Sequence, residues 1–313
     1  MSRTIRSALA ALVLVGAFLG TGNAEPAPPW FAFLWKVERP TSFYILGTEH
    51  LRDRRAVVLP RVAGDAMADS DELMLELKDD QRGWLAGAYA VFKSRLRDGK
   101  TLDDLLPRDL AIDTKDVVQA LGGDWERIRK LKPWMVTMML TRTPAPPHTG
   151  TQAAAWKGPA TSVEETLAAA ARKASLPITE IETADEQFAV FDGMTLSDQL
   201  TLLRLQVDEF GHVLLALGKP RVATPTLLDD YFAGDEAAMA LRVDRLINAS
   251  SPAARTLGRR LLTDRNATMA ARITKLRVDG KRRLLAIGVA HLVRPESVIS
   301  RLRRDGLIVT RIE

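Results

Sequence analysis

Ser42-Phe-Tyr-Ile-Leu-Gly47-Thr-Glu-His50 and Arg283-Leu-Leu-Ala-Ile-Gly288-Val-Ala-His291 follow one plan: apolar strand, glycine, two residues, histidine. Glycine lets the backbone turn sharply or approach a neighbour closely at the strand end. The histidine then falls just past the carboxyl end of its strand, where open α/β sheets place their ligands. Two neutral imidazoles arriving in that way are ordinary metal ligands. A single histidine at a strand end is commonly satisfied by a backbone carbonyl, so the weight rests on the repetition.

Working outward, Trp30 to Val37 reads as a strand that turns through Glu38-Arg39-Pro40-Thr41 into the strand Ser42 to Leu46. Glu72 to Leu77 is a short apolar run broken by Glu76, the pattern of a strand buried on both faces of a parallel sheet. Ile178 to Ile181, Lys281 to Ile287 and Leu307 to Ile312 supply three more strands. Helical spacing covers Arg54 to Ala68, Trp84 to Arg97, Pro107 to Leu121 and Trp125 to Leu140, with Pro133 suited to the first turn of a helix. Ser162 and Glu165 form a capping box for a helix to about Ala174. Further helices are expected over Thr195 to Leu217 (ended by Gly218 and Pro220), Thr226 to Phe232, Glu236 to Ile247, Ala253 to Leu276 and Arg294 to Arg304. Thr143 to Gly158 reads as a surface loop carrying His148. Strands near both ends with helices between them predict an α/β (α+β) class: a central mixed sheet, assembled from distant segments, with helices packed around it.

The first residues read as an export signal. Arg3 and Arg6 form a positive n-region, Ala8 to Leu19 are apolar, and Gly22-Asn23-Ala24 gives the small-x-small pattern for cleavage after Ala24. A retained anchor is the alternative, though the run is short for a permanent span. Residues 1–24 are thus expected to leave, and 25–313, about 290 residues, to form one domain. The chain has no cysteine, which excludes disulfides, thiolate metal sites and a lipoprotein anchor, and suits a periplasmic or secreted location without a stable membrane anchor. The formal charge of +5 falls to about +3 without Arg3 and Arg6, and the arginines are scattered among acids, so no nucleic-acid partner is expected.

Among the acids, Glu76 stands out, because a buried glutamate is expensive unless paired or metal-bound. Glu182 ends the Ile178 strand in the same way, as a site residue or a structural one. Arg265 and Asn266 occur early in a helix, where the arginine could hold a carboxylate and the asparagine orient it, or form a helix-surface ion pair and a local polar contact. Glu209 and His212 stand at i, i+3 on one helix without a strand context, and read as an exposed face.

In this order and spacing the chain resembles the TraB/GumN family, which includes the Tiki-type metalloproteases. The residues that carry the resemblance are Leu34-Trp35-Lys36-Val37, Gly47-Thr48-Glu49-His50, the stretch Ala68 to Leu77, Lys132-Pro133-Trp134, Ile181-Glu182-Thr183, Glu186-Gln187, Asp264 to Met269, Gly288-Val289-Ala290-His291-Leu292 and Gly306-Leu307-Ile308-Val309. The resemblance implies a fold shared with erythromycin esterase and ChaN-type haem-binding lipoproteins, and a metal-dependent hydrolase centred on His50, Glu76 and His291. Two stretches depart from the family pattern: Glu49 replaces a usually apolar residue, and Arg294-Pro295-Glu296-Ser297 replaces a glycine pattern.

The chemistry expected is metal-assisted hydrolysis of a peptide or protein substrate. His50 and His291, with Glu182 as a further candidate, would hold a divalent ion (Mn, Co or Zn). Glu76 would act as general base or as a ligand, with its pKa raised by an apolar strand environment. Arg265 would face the developing oxyanion, beside Asn266. The rival reading is a non-catalytic periplasmic haem- or metal-binding protein. A relative without activity is a third.

Overall fold

The computed structural model describes residues 30–38, 42–77, 84–142, 160–215, 226–276 and 278–312. The expected signal segment, the turn expected at 39–41, the loop expected at 143–158 with His148, and Gly218 with Pro220 lie outside them. No helix among the described residues is long and apolar enough to cross a membrane.

Six strands form one mixed sheet: β1 (Phe33–Glu38), β2 (Phe43–Thr48), β3 (Glu72–Leu75), β4 (Ile178–Glu180), β5 (Arg283–Gly288) and β6 (Ile308–Arg311), in the order β4-β3-β5-β2-β1-β6. The four strands β4, β3, β5 and β2 are mutually parallel, whereas β1 runs antiparallel to β2 and to β6. β3 and β5 are buried at every position, as their continuous apolar runs predict. β5, from the far end of the chain, slots between β2 and β3. Parallel alignment sends the carboxyl ends of all four strands to one edge, where the chain continues into His50, Glu76, Glu182 and His291. At the opposite edge Arg283 Nε donates to Glu72 Oε2 at 2.9 Å, a buried ion pair that closes the amino ends of β3 and β5. Helices pack around the sheet, so the α/β architecture expected from the sequence is the one observed.

Two hydrophobic clusters fill the described residues. The larger is built on the sheet, with Phe33, Trp35, Ile45, Leu73 and Leu284. The other is helical and includes Leu102, Trp125, Trp134 and Leu203.

Three expected helices are divided. Trp125 to Leu140 becomes Trp125–Ile128 and Pro133–Arg142, the second opening at its proline. Arg54 to Ala68 splits into a 3-10 turn at Arg54–Val57 and an α-helix at Arg61–Ala68, because Pro60 holds the chain extended and Leu59, before a proline, is disfavoured in the helical region. The stretch from Ala253 runs as Pro252–Gly258, a π-helical segment at Arg259–Asp264, and Arg265–Leu276. The wider π turn shifts the register of the helix just before Arg265.

Gly47 is required by space. Its would-be Cβ lies 2.8 Å from Phe33 Cβ, its partner across β1 and β2, and 3.3 Å from Leu292 and Val289. Strand pairing fixes the Phe33 Cβ, so it cannot retreat. Gly47→Ala is therefore expected to cost about 1–3 kcal/mol of stability, read as a lower urea midpoint with an unchanged m-value; an unshifted midpoint would contradict the packing.

Candidate functional site

The carboxyl edge of the sheet gathers the residues singled out above. Glu76 follows β3 and is nearly fully buried. Its backbone N–H donates to the Ala286 carbonyl, and its carbonyl accepts from the Glu182 N–H, so strand pairing continues one residue past β3 and carries Glu182 beside it. Arg265 then joins the two carboxylates. Its Nε donates to both Glu182 oxygens at 3.1 Å, and its Nη2 bonds Glu182 Oε2 and Glu76 Oε1. Nη1 donates to the Leu261 carbonyl. Four of its five N–H donors meet protein acceptors, so Arg265 chiefly braces two acids. Gln187 Nε2 adds bonds to Glu76 Oε1 at 2.9 Å and to Glu182 Oε2 at 3.4 Å.

This brace reverses one expectation. Burial alone raises the Glu76 pKa, but the Arg265 charge, with the neighbouring His291 and His50 rings and the Gly288 N–H, outweighs it and holds the carboxyl well below its usual range. So held, Glu76 is a carboxylate and a weaker base than desolvation by itself would give.

The imidazoles are oriented through their Nδ1 atoms. Asn266 Nδ2 donates to the Glu296 carbonyl at 2.9 Å, so Asn266 Oδ1 is an acceptor, and the buried His291 donates Nδ1–H to it at 2.7 Å. That bond leaves the lone pair of neutral His291 on Nε2. Asn266 therefore orients a histidine, not the carboxylate it was expected to orient. Desolvation, helped by the Arg265 charge, lowers the His291 pKa to about 3. His50 Nδ1 stands 2.7 Å from Glu164 Oε1, an ion-pair contact. Desolvation opposes charge on His50, yet the Glu164 charge and hydrogen bond, then Glu76 and Glu49, raise its pKa to about 9. More than half of the His50 side chain (58%) is open to solvent, so the opposing desolvation is partial.

Gly288 shows how close these groups come. Its φ of −49° suits any residue, so what glycine supplies here is room. A Cβ at 288 would sit 3.3 Å from Glu76 Oε2 and 3.5 Å from both His50 Nε2 and His291 Cδ2, the carbon bonded to Nε2. Glu76 Oε2 also accepts the Gly288 N–H at 3.1 Å. Two imidazoles and a carboxylate thus border one small cradle that a side chain would fill. The donor chemistry suits a first-row divalent ion, and three buried carboxylates (Glu76, Glu164 and Glu182) outnumber the cationic Arg265 and His50. The cradle is open rather than closed on a ligand set: among the described residues no three His, Asp or Glu side chains stand at metal-binding spacing. Glu182, turned to Arg265, lies one layer behind the cradle. Glu209 is exposed, as expected of a solvated face.

Sequence reasoning passed over Glu164 and assigned no role to Gln187. Glu164 shares a helix face with Ala168 and Ala171, all three buried, and an acid at apolar-face spacing was the available signal.

These features define an α/β protein whose candidate site is built at the carboxyl ends of parallel strands. Residues 33–311 match the family model described as the TraB/PrgY/gumN family, and the chain belongs to that family. Comparison with curated proteins and with solved structures gives no match.

His291 makes stability pH-dependent. Its folded-state pKa lies below the unfolded value of 6.5, so its contribution is complete above pH 6.5 and is lost as pH falls towards 3. Unfolding free energies at pH 7, 6 and 5 are expected to fall with a limiting slope of about 1.4 kcal/mol per pH unit from this group. His291→Gln should flatten the slope; an equal slope in both proteins would contradict a buried neutral imidazole.

Proposed function

We propose that the protein is an exported, metal-dependent hydrolase acting on peptide bonds in a periplasmic or extracellular setting. Export rests on the Arg3, Arg6, Ala8 to Leu19 and Gly22-Asn23-Ala24 pattern. The hydrolytic reading rests on one observation: His50 Nε2, His291 Cδ2 and Glu76 Oε2 all lie within 3.5 Å of the vacant Cβ position of Gly288.

His291, and His50 on losing its Nε2 proton as the ion binds, would bind through Nε2, their Nδ1 atoms facing Asn266 and Glu164. Glu76 would offer Oε2 as a third ligand, because its depressed pKa makes it a better anion than base. Arg265 and Gln187 keep that carboxylate turned to the cradle through Oε1. A divalent ion (Mn²⁺, Co²⁺ or Zn²⁺) would supply the Lewis acidity that polarises a carbonyl and acidifies water. The low proton affinity of Glu76 is also what favours a second reading, a periplasmic metal-binding protein without turnover.

Metal-stripped protein with Mn²⁺, Co²⁺ or Zn²⁺ restored, incubated with a peptide library and read by mass spectrometry, separates these readings. Hydrolysis is expected, with kcat/KM lowered on the order of a hundredfold or more in His50→Ala, the loss of several kcal/mol of transition-state stabilisation. Ion binding without cleavage gives the second reading. Cleavage that persists in His50→Ala contradicts the mechanism.

A further inference from the structure

Glu164 is a buried carboxylate to which the resemblance assigns no role. It is 1% exposed and is the second residue of the helix Val163–Lys173. Its Oε1 lies 2.7 Å from Nδ1 of His50, a side chain that stands beyond the end of β2 and is 58% exposed. The geometry points to Glu164 as the positioning residue of His50, holding the ring so that Nε2 faces the Gly288 cradle. This rests on reading the cradle as an ion site.

Three observations carry the assignment. An exposed imidazole without a fixed partner turns freely about its broad terminal torsion, so its direction must come from a rigid neighbour. The helix start is such a neighbour. Ser162 and Glu165 close a capping box, Glu165 takes both Nε and Nη2 of Arg52, Thr166 donates to the Ala56 carbonyl, and Asp53 pairs with Thr161. The loop after His50 is therefore tied to this helix at 52, 53 and 56, and Glu164 meets His50 inside that clamp. The third observation is symmetry of design. Asn266, the second residue of Arg265–Leu276, accepts Nδ1–H of His291 at the same 2.7 Å. Each histidine is thus aimed by the second residue of a helix from another part of the chain, through its Nδ1. Partners of this kind fix tautomer and ring direction and raise the basicity of the other nitrogen.

Two variants test the assignment. Glu164→Gln is nearly isosteric and keeps an acceptor for Nδ1–H, whereas Glu164→Leu removes it. Zn²⁺ affinity, measured by competition with a chromophoric chelator, is expected to weaken on the order of tenfold in Glu164→Gln and towards a hundredfold in Glu164→Leu. Thermal melts of both metal-free variants serve as the control for folding. In a crystal structure of metal-free Glu164→Leu the His50 ring is expected to have turned away from Gly288. Equal Zn²⁺ affinity in all three proteins, or an unmoved ring, overturns the assignment. Wild-type protein that binds no Zn²⁺ would count against the proposed function instead, and the ring position in metal-free Glu164→Leu would still decide the role of Glu164. If Glu164→Leu does not fold, Glu164→Gln decides it: an affinity equal to that of wild type overturns the assignment.

Discussion

Arg265 lies between Glu76 and Glu182, two carboxylates that the sheet buries side by side. Two buried carboxylates side by side need a shared counter-charge. Burying an unpaired charge costs several kcal/mol, and removing one partner of a buried pair typically costs about 3–5 kcal/mol. One guanidinium offsets both charges through bonds to three of their four oxygens, and the fourth, Glu76 Oε2, accepts the Gly288 N–H. The brace leaves Glu76 anionic and facing Gly288 beside the two imidazoles. Without it Glu76 would be protonated or turned away, and the cradle would lose its fixed negative charge.

The rest of the fold serves this arrangement. Parallel pairing of β2, β5, β3 and β4 brings four strand ends to one edge although their residues are scattered between positions 43 and 288. The helix Arg265–Leu276 then organises three of the strand-end residues. Arg265 reaches Glu76 and Glu182, Asn266 reaches His291, and Arg272 donates to the Ile181 carbonyl at the exit of β4. On the other side, the hydroxyl of buried Tyr231 donates to the Gly47 carbonyl at 2.8 Å and stacks its ring on Phe33, which fixes the turn that leads to His50.

The sheet was legible in the sequence because its strands are short apolar runs, and the site because two of them end in the same glycine-to-histidine spacing. Glu76 and Glu182 were visible as acids that interrupt or end such runs. Less visible was anything set by a partner far along the chain. The sign of the Glu76 pKa depends on Arg265, 189 residues away, and local sequence shows only the desolvation. Asn266 was read as a neighbour for a carboxylate because nothing local reveals that His291 folds against it. Glu164 was masked by the capping box around it, which explains Glu165 fully and draws attention from the acid beside it. Pro60 could have been read as the break in Arg54 to Ala68, but helical spacing on both sides obscured it.

The central claim is that His50, His291 and Glu76 meet around one cation at Gly288. Anomalous diffraction at the cobalt edge, from crystals of the protein equilibrated with Co²⁺, tests it most directly. The account predicts one strong peak beside Gly288, with Nε2 of both histidines at roughly 2.1 Å, the usual distance from a divalent ion to imidazole. A peak only elsewhere on the molecule, or none while the two rings stay as described, would contradict it.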